Sequence, residues 1–523
     1  MDGARAGIAI EPIFDHLDVL PIALAVAAVA LTVTVGRAVV RPQVGGGGAL
    51  RSLRALGNRR FTLLWIGQTV SRIGDYVYEI VLAWWILELT GSGAVMGSVL
   101  IVSFLPVALF TIIGGAVVDR VSRLGVMLVS DVVRAVAVLG VAAWAYAGHL
   151  ELWPIYALGL LFGVGNAFFG PAYFALVPEL VDEKDLPSAN ALTSMSFQLG
   201  RIAGPVIGGL IVAAGGTELG LLLNGLSFVV AAAFLVPLIG RMRRVATPDA
   251  TADATTDATT DATVEPATAL VVQPGSDATA MIRDALEPAI AEVGSGDGDG
   301  VLVVGSGGDG SDGGGGIDGS QRPHWLDDVR EGYAVVAGSP IVRTGILVNA
   351  VAAACLVGPF IVAMPFLVDE RFDGDPRVFG FLLAFFPIGF VLGSLWGGRH
   401  DKLPHRGRIM YGGIALAAAM LALYGLPVPL YVLAAAALVN GFCLELTGLA
   451  WVGLLQDHIP GDKLGRAASF DQLAGFITVP IAFAAAGWAT DLYGAAPTFL
   501  VGGLLAAVLA VGALAIPAVW RAS

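Results

Sequence analysis

Three ionisable residues stand at i, i+3 and i+7 in the apolar stretch SRIGDYVYEI: Arg72, Asp75 and Glu79. A fourth, Glu445, lies in NGFCLELTG. At a rise of about 1.5 Å per residue the first three share one helix face over about 10 Å. At the centre of a bilayer each such charge costs about 2.5–3.5 kcal/mol on insertion scales, so a charge kept at that depth points to function. Carboxyl groups shielded from bulk water suit proton traffic. They can load a proton from one side and release it to the other, while Arg72 holds one of them charged or meets an anionic ligand. A static ion pair of Arg72 with Asp75 or Glu79 would use the same residues, and spacing alone does not separate the two uses. Asp131 and Arg134 can also pair at i, i+3, and Asp471 can pair with groups near the start of its own apolar run. That makes Asp75, Glu79 and Glu445 the candidates for carrying protons, with Arg72 as their partner. Asn166, Asn440 and Phe385 are candidates for the wall of a ligand cavity. Aromatic residues such as Phe104, Phe162, Phe385 and Phe386 could line one too, but packing and lipid contact are the roles expected first of such rings.

The elements that must position these residues follow from composition. The chain has 523 residues, 56% of them hydrophobic and only 14% charged. A soluble domain carries about 25% charge, and about 20 apolar residues in a row suffice for a transmembrane helix. Period-2 alternation of a membrane barrel is absent. The expected class is an all-α polytopic membrane protein. Six spans are expected near 61–88, 94–118, 124–147, 153–178, 189–214 and 217–240, and six more near 341–368, 376–398, 409–425, 428–456, 468–489 and 494–519. They form an N-terminal six-helix bundle over 55–240 and a C-terminal one over 326–523. Between them, 241–325 is an acidic low-complexity linker. Residues 245–320 hold fourteen acidic side chains and one base, Arg283, which accounts for the whole net charge of −13. Such a stretch is expected to be disordered apart from a short amphipathic helix near 280–293. An N-terminal extension, 1–54, contains VLPIALAVAAVALTVTVGRAVV at 19–40, expected to be an extra transmembrane helix because its flank is acidic where a signal peptide needs bases. Cys355 and Cys443 both lie in apolar runs and imply neither a disulfide framework nor a metal site.

The two bundles echo each other. GGAVVDRVSR (114–123) ends the second span and GGRHDKLPHRGR (397–408) ends the eighth, with Gly115-x-x-x-Asp119 and Gly397-x-x-x-Asp401 lying 282 residues apart. Leu186 and Leu464 are 278 apart, as are Gly170 and Gly448. Internal repeats of this kind mark transporters. The bases Arg120, Arg123, Arg241, Arg243, Arg244, Arg399, Lys402, Arg406, Arg408, Lys463 and Arg466 all fall in loops on one side. Positive residues favour the cytoplasmic face, so that side, the linker and the C-terminus are expected to be cytoplasmic.

These stretches resemble the major facilitator superfamily. Gly115, Asp119, Arg120 and Arg123 resemble its loop 2–3 signature, with Ser122 where a second glycine is usual. Gly397, Asp401, Lys402 and Arg408 are a looser match in loop 8–9. GRIAGPVIGGL (200–210) is similar to the superfamily's antiporter motif through Gly200, Gly204, Pro205, Gly208 and Gly209. Residues 55–97 and 176–192 resemble the branch of macrolide-efflux and enterobactin-exporter proteins. The resemblance implies a fold of two six-helix bundles and a loop 2–3 latch in which a carboxylate meets a helix N-terminus and a base of the other half in one state only. An anion gains about 0.3–1 kcal/mol at such a terminus. Two departures stand out. The fourth span has no arginine where some drug antiporters carry a relay arginine, and Arg201 in the fifth span is a possible substitute. In that fifth span the smooth ridge of Gly200, Gly204 and Gly208, bent at Pro205, is expected to pack against the other half and seal one side.

The expected activity is proton-driven export, by alternating access, of amphiphilic small molecules such as drugs, macrolides or siderophores. The expected partners are that substrate, protons and the lipid bilayer, with the chain a monomer and no nucleic acid or cofactor involved. A lipid or metabolite transporter of the same superfamily is one alternative. A membrane scaffold or receptor signalling through the acidic linker is another. No phosphate loop, metal cluster or nucleophile motif supports an enzyme or an ATP-driven pump.

Overall fold

A computed structural model describes residues 53–242 and 334–516, apart from 119, 150, 335, 401 and 402. The expected helix at 19–40 and the linker with its short helix near 280–293 lie outside these residues.

The described residues form twelve long helices and no strand. The first bundle holds α1 (Arg59–Thr90), α2 (Gly93–Val118), α3 (Arg123–Tyr146), α4 (Leu152–Leu180) and the stretch Leu186–Met242. That last stretch is two helices, α5 (186–214) and α6 (217–242), because Gly215 and Gly216 leave helical geometry. Gly216 has φ 72°, which a side chain would strain. The second bundle holds α7 (Pro340–Arg371), α8 (Pro376–Gly397), α9 (Arg406–Ala422), α10 (Leu430–His458), α11 (Gly461–Tyr493) and α12 (Ala495–Leu514). Within α7 the turn Pro359–Ala363 widens to a π-helix. Pro359 lacks the N–H of a regular helical ladder, which suits such an irregular turn. Among the described residues ten stretches are long and apolar enough to cross a membrane. One of the ten, Glu183–Ile239, contains both α5 and α6, and α1, which carries Arg72, Asp75 and Glu79, is not among them.

Local chemistry sets the helix ends. The Asn58 side chain accepts from the Arg60 and Phe61 N–H groups to start α1, and Gly91 at φ 58° ends it. Ser122 caps α3, Ser339 caps α7 and Asp375 caps α8 in the same way. Pro205 sits inside α5, where the non-helical backbone is confined to Gly215 and Gly216. The bend expected at Pro205 is therefore milder than the break ten residues later.

The halves meet along two helix pairs, α2 with α11 and α5 with α8. Small residues bring the backbones together, as they do between helices in lipid. A Cβ on Gly97 would strike the Phe483 carbonyl, and one on Gly380 would strike that of Pro205. A Cβ on Gly209 would likewise meet the carbonyl of Pro376, and Gly93 and Gly487 face each other in the same fashion. At the end of α11, Asp491 accepts from Ser92 Oγ at 2.8 Å, from the Ala94 N–H at 3.1 Å and from the Gly93 N–H. It thus caps the N-terminus of α2 from the other half. These contacts gather at the end of the bundle that carries the α1–α2, α7–α8 and α11–α12 connections.

Overpacking of a tight contact costs about 1–3 kcal/mol, so Gly97→Leu should destabilise this closed arrangement relative to a separated one. Spin labels at the exposed residues Leu89 and Tyr493 would report longer distances in the variant than in the parent by double electron–electron resonance.

Candidate functional site

A cavity of about 430 Å³ lies between the halves at mid-depth. Tyr76 and Glu79 of α1 and Arg201 and Pro205 of α5 supply one wall, and Phe360, Phe379, Phe386, Leu383 and Asn440 supply the other. Glu79 is exposed into it. The Arg201 guanidinium reaches across to the second half, 5.9 Å from the centroid of Phe386 and 5.2 Å from that of Phe390. It lies close enough to Glu79 and Glu445 to act on both electrostatically. A larger recess of about 620 Å³ is walled by Glu88, Asp369, Glu370, Asp373 and Asp491. That recess sits at the closed end, where carboxylates outnumber its apolar residues Trp84, Leu87 and Phe366, and it holds no base. The inner cavity, which has both charges and a wall of aromatic rings, is the better candidate site.

Arg72 and Asp75 of α1 face inward within the first bundle. Asp131 and Arg134 of α3 form an ion pair at 3.0 Å with side-chain exposures of 0% and 2%. Gln68 donates to the other oxygen of Asp131 at 3.3 Å. Arg72 Nη1 is 3.9 Å from Asp75, one of whose oxygens is buried without a hydrogen-bond partner among the described residues. Phe169 of α4 separates the two guanidinium groups, 5.6 Å from Arg72 and 4.8 Å from Arg134. Arg72 also lies over Phe197, and Arg134 over Phe228. Arg72, Asp75, Asp131 and Arg134 are thus one buried charge cluster, and Asp131–Arg134 is part of it.

Other sequence-predicted residues fall elsewhere. Glu445 packs its Cβ and Cγ against Gly393 of α8, inside the second bundle. Asn440 borders the cavity, but its amide donates to the Ala417 carbonyl at 2.9 Å. Asn166 is exposed on α4 and does not border the cavity. Phe385 packs on Phe381 at 4.8 Å, and the ring in the cavity is its neighbour Phe386. Asp471 accepts from Trp451 Nε1 of α10 at 3.1 Å rather than from groups at the start of α11.

Comparison with known proteins reads the same architecture. A sequence model described as Transmembrane secretion effector matches residues 51–264, and one described as Major Facilitator Superfamily matches 345–522. The chain belongs to the major facilitator superfamily. Macrolide efflux protein A of Streptococcus pyogenes is 28% identical over 152 residues, a match that spans 29% of this chain and 38% of that protein. Multidrug efflux pump Tap of Mycolicibacterium fortuitum is 24% identical over 457 residues, 85% of this chain and 92% of its own. Among solved structures, a bacterial homologue of the iron transporter ferroportin in an inward-facing state shares the fold. Its TM-score is 0.56 at 16% identity, covering 88% of this chain and 99% of that one.

The superfamily motifs can now be set on the helices. Gly115 lies in the last turn of α2 and Gly397 ends α8. Asp119, Asp401 and Lys402 lie outside the described residues, and so does the latch the resemblance implies. Arg120 is exposed at the end of α2. Arg123 pairs with Glu179 at the end of α4 and donates to the Ala175 carbonyl at 3.0 Å. The second half repeats this clamp, Arg406 pairing with Asp457 and donating to the Gly453 carbonyl. Arg406 thus makes in the second half the contacts that Arg123 makes in the first. The antiporter-motif ridge also differs from expectation. Added Cβ atoms on Gly200, Gly204 and Gly208 would run into Tyr76 and Ile80 of α1, within the same half. Contact with the other half is made by Gly209, by the backbone of Pro205 and by the Arg201 side chain.

Removing one partner of a buried pair costs about 3–5 kcal/mol because the other charge is stranded. Arg134→Ala should therefore lower the melting temperature of the detergent-purified protein markedly. The double variant Asp131→Asn, Arg134→Met should lower it less than the single one.

Proposed function

We propose that this chain is a secondary transporter that exports amphiphilic small molecules in exchange for protons, with Glu79 as the side chain that carries the proton at the site. The observation that carries the reading is the cavity between the halves, walled by aromatic rings on one side and by an ionisable carboxylate on the other. Efflux proteins among the relatives support the class of activity. With the base-rich loops taken as cytoplasmic, the sealed end at Asp491 faces outward and the conformation is inward-facing. Cargo would then enter the cavity from the cytoplasm or inner leaflet. A rocking of the two bundles about the midplane would break the α2–α11 and α5–α8 contacts and open the outer end. Glu79 would take a proton when the cavity faces out and lose it when the cavity faces in. Each pH unit of gradient then supplies about 1.4 kcal/mol per proton, roughly a tenfold accumulation of cargo. Asp75, further inside the first bundle and beside Arg72, would tune the charge around Glu79 rather than meet the cargo. The acidic linker would act as a cytoplasmic tether.

The test is transport in proteoliposomes under an imposed pH gradient, screened with lipophilic cations, macrolides and siderophores. Gradient-driven movement of at least one compound is expected for the parent. Glu79→Gln should abolish its dependence on the gradient, and deletion of 245–320 should leave it near the parental rate. A membrane scaffold signalling through the linker would give the opposite pattern.

A further inference from the structure

The inner cavity holds two opposite charges, and neither is directly paired. Among the described residues neither Glu79 nor Arg201 makes a hydrogen bond or ion pair; the Arg201 guanidinium lies over Phe386 and Phe390 and acts on Glu79 and Glu445 only at longer range. Both side chains border the same cavity of about 430 Å³, on adjacent helices of one bundle. Charges at bilayer depth are costly, and the cheapest arrangement would be a mutual salt bridge like the one Asp131 and Arg134 form at 3.0 Å one helix layer away. The fold does not use it here. A guanidinium over an aromatic face keeps its donors free while the rings fix its direction, so Arg201 is held in place without being neutralised.

We infer that the cavity is built for a zwitterionic cargo, an apolar or aromatic body bearing both a cationic amine and a carboxylate. Glu79 accepts hydrogen bonds from the ammonium, and Arg201 donates two parallel N–H bonds to the carboxylate. The body lies against Phe379, Phe386 and Leu383. The volume suits such a molecule, since small-ligand sites run from about 300 to 1,000 Å³. Before binding, both charges are hydrated through the open cavity. The cargo replaces that water with charge-assisted contacts of matched sign, and it is itself spared from crossing apolar surroundings as a bare dipole. An amphiphile with only a cation would leave Arg201 desolvated and unmatched, and one with only an anion would do the same to Glu79. The pair therefore selects against singly charged molecules as well as for doubly charged ones. This inference rests on the reading of the cavity as the cargo site, but its test needs no gradient.

Equilibrium binding to the protein in nanodiscs, followed by ligand fluorescence, would use four matched probes: norfloxacin, its methyl ester, its N-acetyl derivative and the N-acetyl methyl ester. They share one aromatic body and are zwitterionic, cationic, anionic and neutral. Norfloxacin is expected to bind tightest, with each blocked charge weakening binding by about tenfold, the scale of one charge-assisted hydrogen bond. In Glu79→Gln the gap between norfloxacin and its N-acetyl derivative should close. In Arg201→Gln the gap between norfloxacin and its methyl ester should close, while the N-acetyl gap persists. Equal affinity of all four for the parent protein, or no saturable binding of any, overturns the inference. So does an ester gap that survives in Arg201→Gln, which would mean that the two charges serve each other in another conformation. Loss of gradient-driven export with the binding order intact would instead sink the exporter reading and leave the selectivity standing.

Discussion

Lipid gives helices no hydrophobic reason to associate, so two six-helix bundles stay together only where their surfaces fit. In this chain that fit depends on backbone-to-backbone approach at Gly97, Gly209, Gly380 and Gly487, where even a methyl group would collide with a carbonyl of the opposite half. The contact runs along α2–α11 and α5–α8 and is finished at one end by Asp491 capping α2. Both sets of partners lie at or above the cavity. Closing them brings Glu79 and Arg201 of one bundle opposite Phe379 and Phe386 of the other. The site exists as a cavity because of how the halves are joined, and it would change shape whenever they part. Beside these backbone approaches, Trp84 packs on Phe379 and Phe104 on Phe476 across the same interface, with ring centroids 6.1 and 5.9 Å apart.

The repeat shows in the chemistry as well as in the topology. Arg123 with Glu179 and Arg406 with Asp457 perform the same task, tying the start of the third helix of each bundle to the end of the fourth. Each base also reaches a carbonyl of the fourth helix, Ala175 and Gly453 in turn. A partly exposed ion pair contributes about 0–1 kcal/mol, so the clamps orient helices within a bundle more than they stabilise the protein. Within each bundle they tie helices three and four together, as the proposed rocking of whole bundles would require.

Much of this was legible in the sequence because it depends on periodicity. Twelve helices, their near-boundaries and the two-bundle division follow from apolar runs and from the echo 282 residues apart. The face shared by Arg72, Asp75 and Glu79 follows from helical spacing, yet the structure divides that face. Asp75 joins the Asp131–Arg134 cluster, while Glu79, one turn further on, looks into the cavity. Spacing orders side chains along a helix but does not say which neighbour covers them. The same limit explains the glycine ridge of α5. Its smoothness announced a close approach, but the partner is α1 rather than the other half. Phe386 rather than Phe385 borders the cavity because adjacent residues on a helix point about 100° apart. In the loops, where no period operates, the repeat slips by a residue, so that Arg406, 283 residues after Arg123, repeats its clamp. Asp491 gave no signal at all, since a carboxylate near a helix end is what a membrane edge ordinarily shows.

The two bundles are alike in fold and unlike in charge. Arg72, Asp75, Glu79, Asp131, Arg134 and Arg201 all sit at depth in the first. The second has Glu445 and Asp471 there, and its described bases, among them Arg343, Arg377 and Lys463, stand near helix ends. Among the described residues, the guanidinium that acts on Glu445 comes from the first bundle, through Arg201 stacked on Phe386 and Phe390. That stacking is therefore more than a wall of the cavity. It places a cation of the first half over rings of the second, where it acts on a carboxylate of each half at once. If the bundles rock apart at this level, Arg201 cannot keep both relations, and the electrostatic surroundings of Glu79 and Glu445 must change together. In the exchange proposed above, a single side chain would tie the opening of the cavity to the charge around two carboxylates, with no need for a chain of relays between the halves.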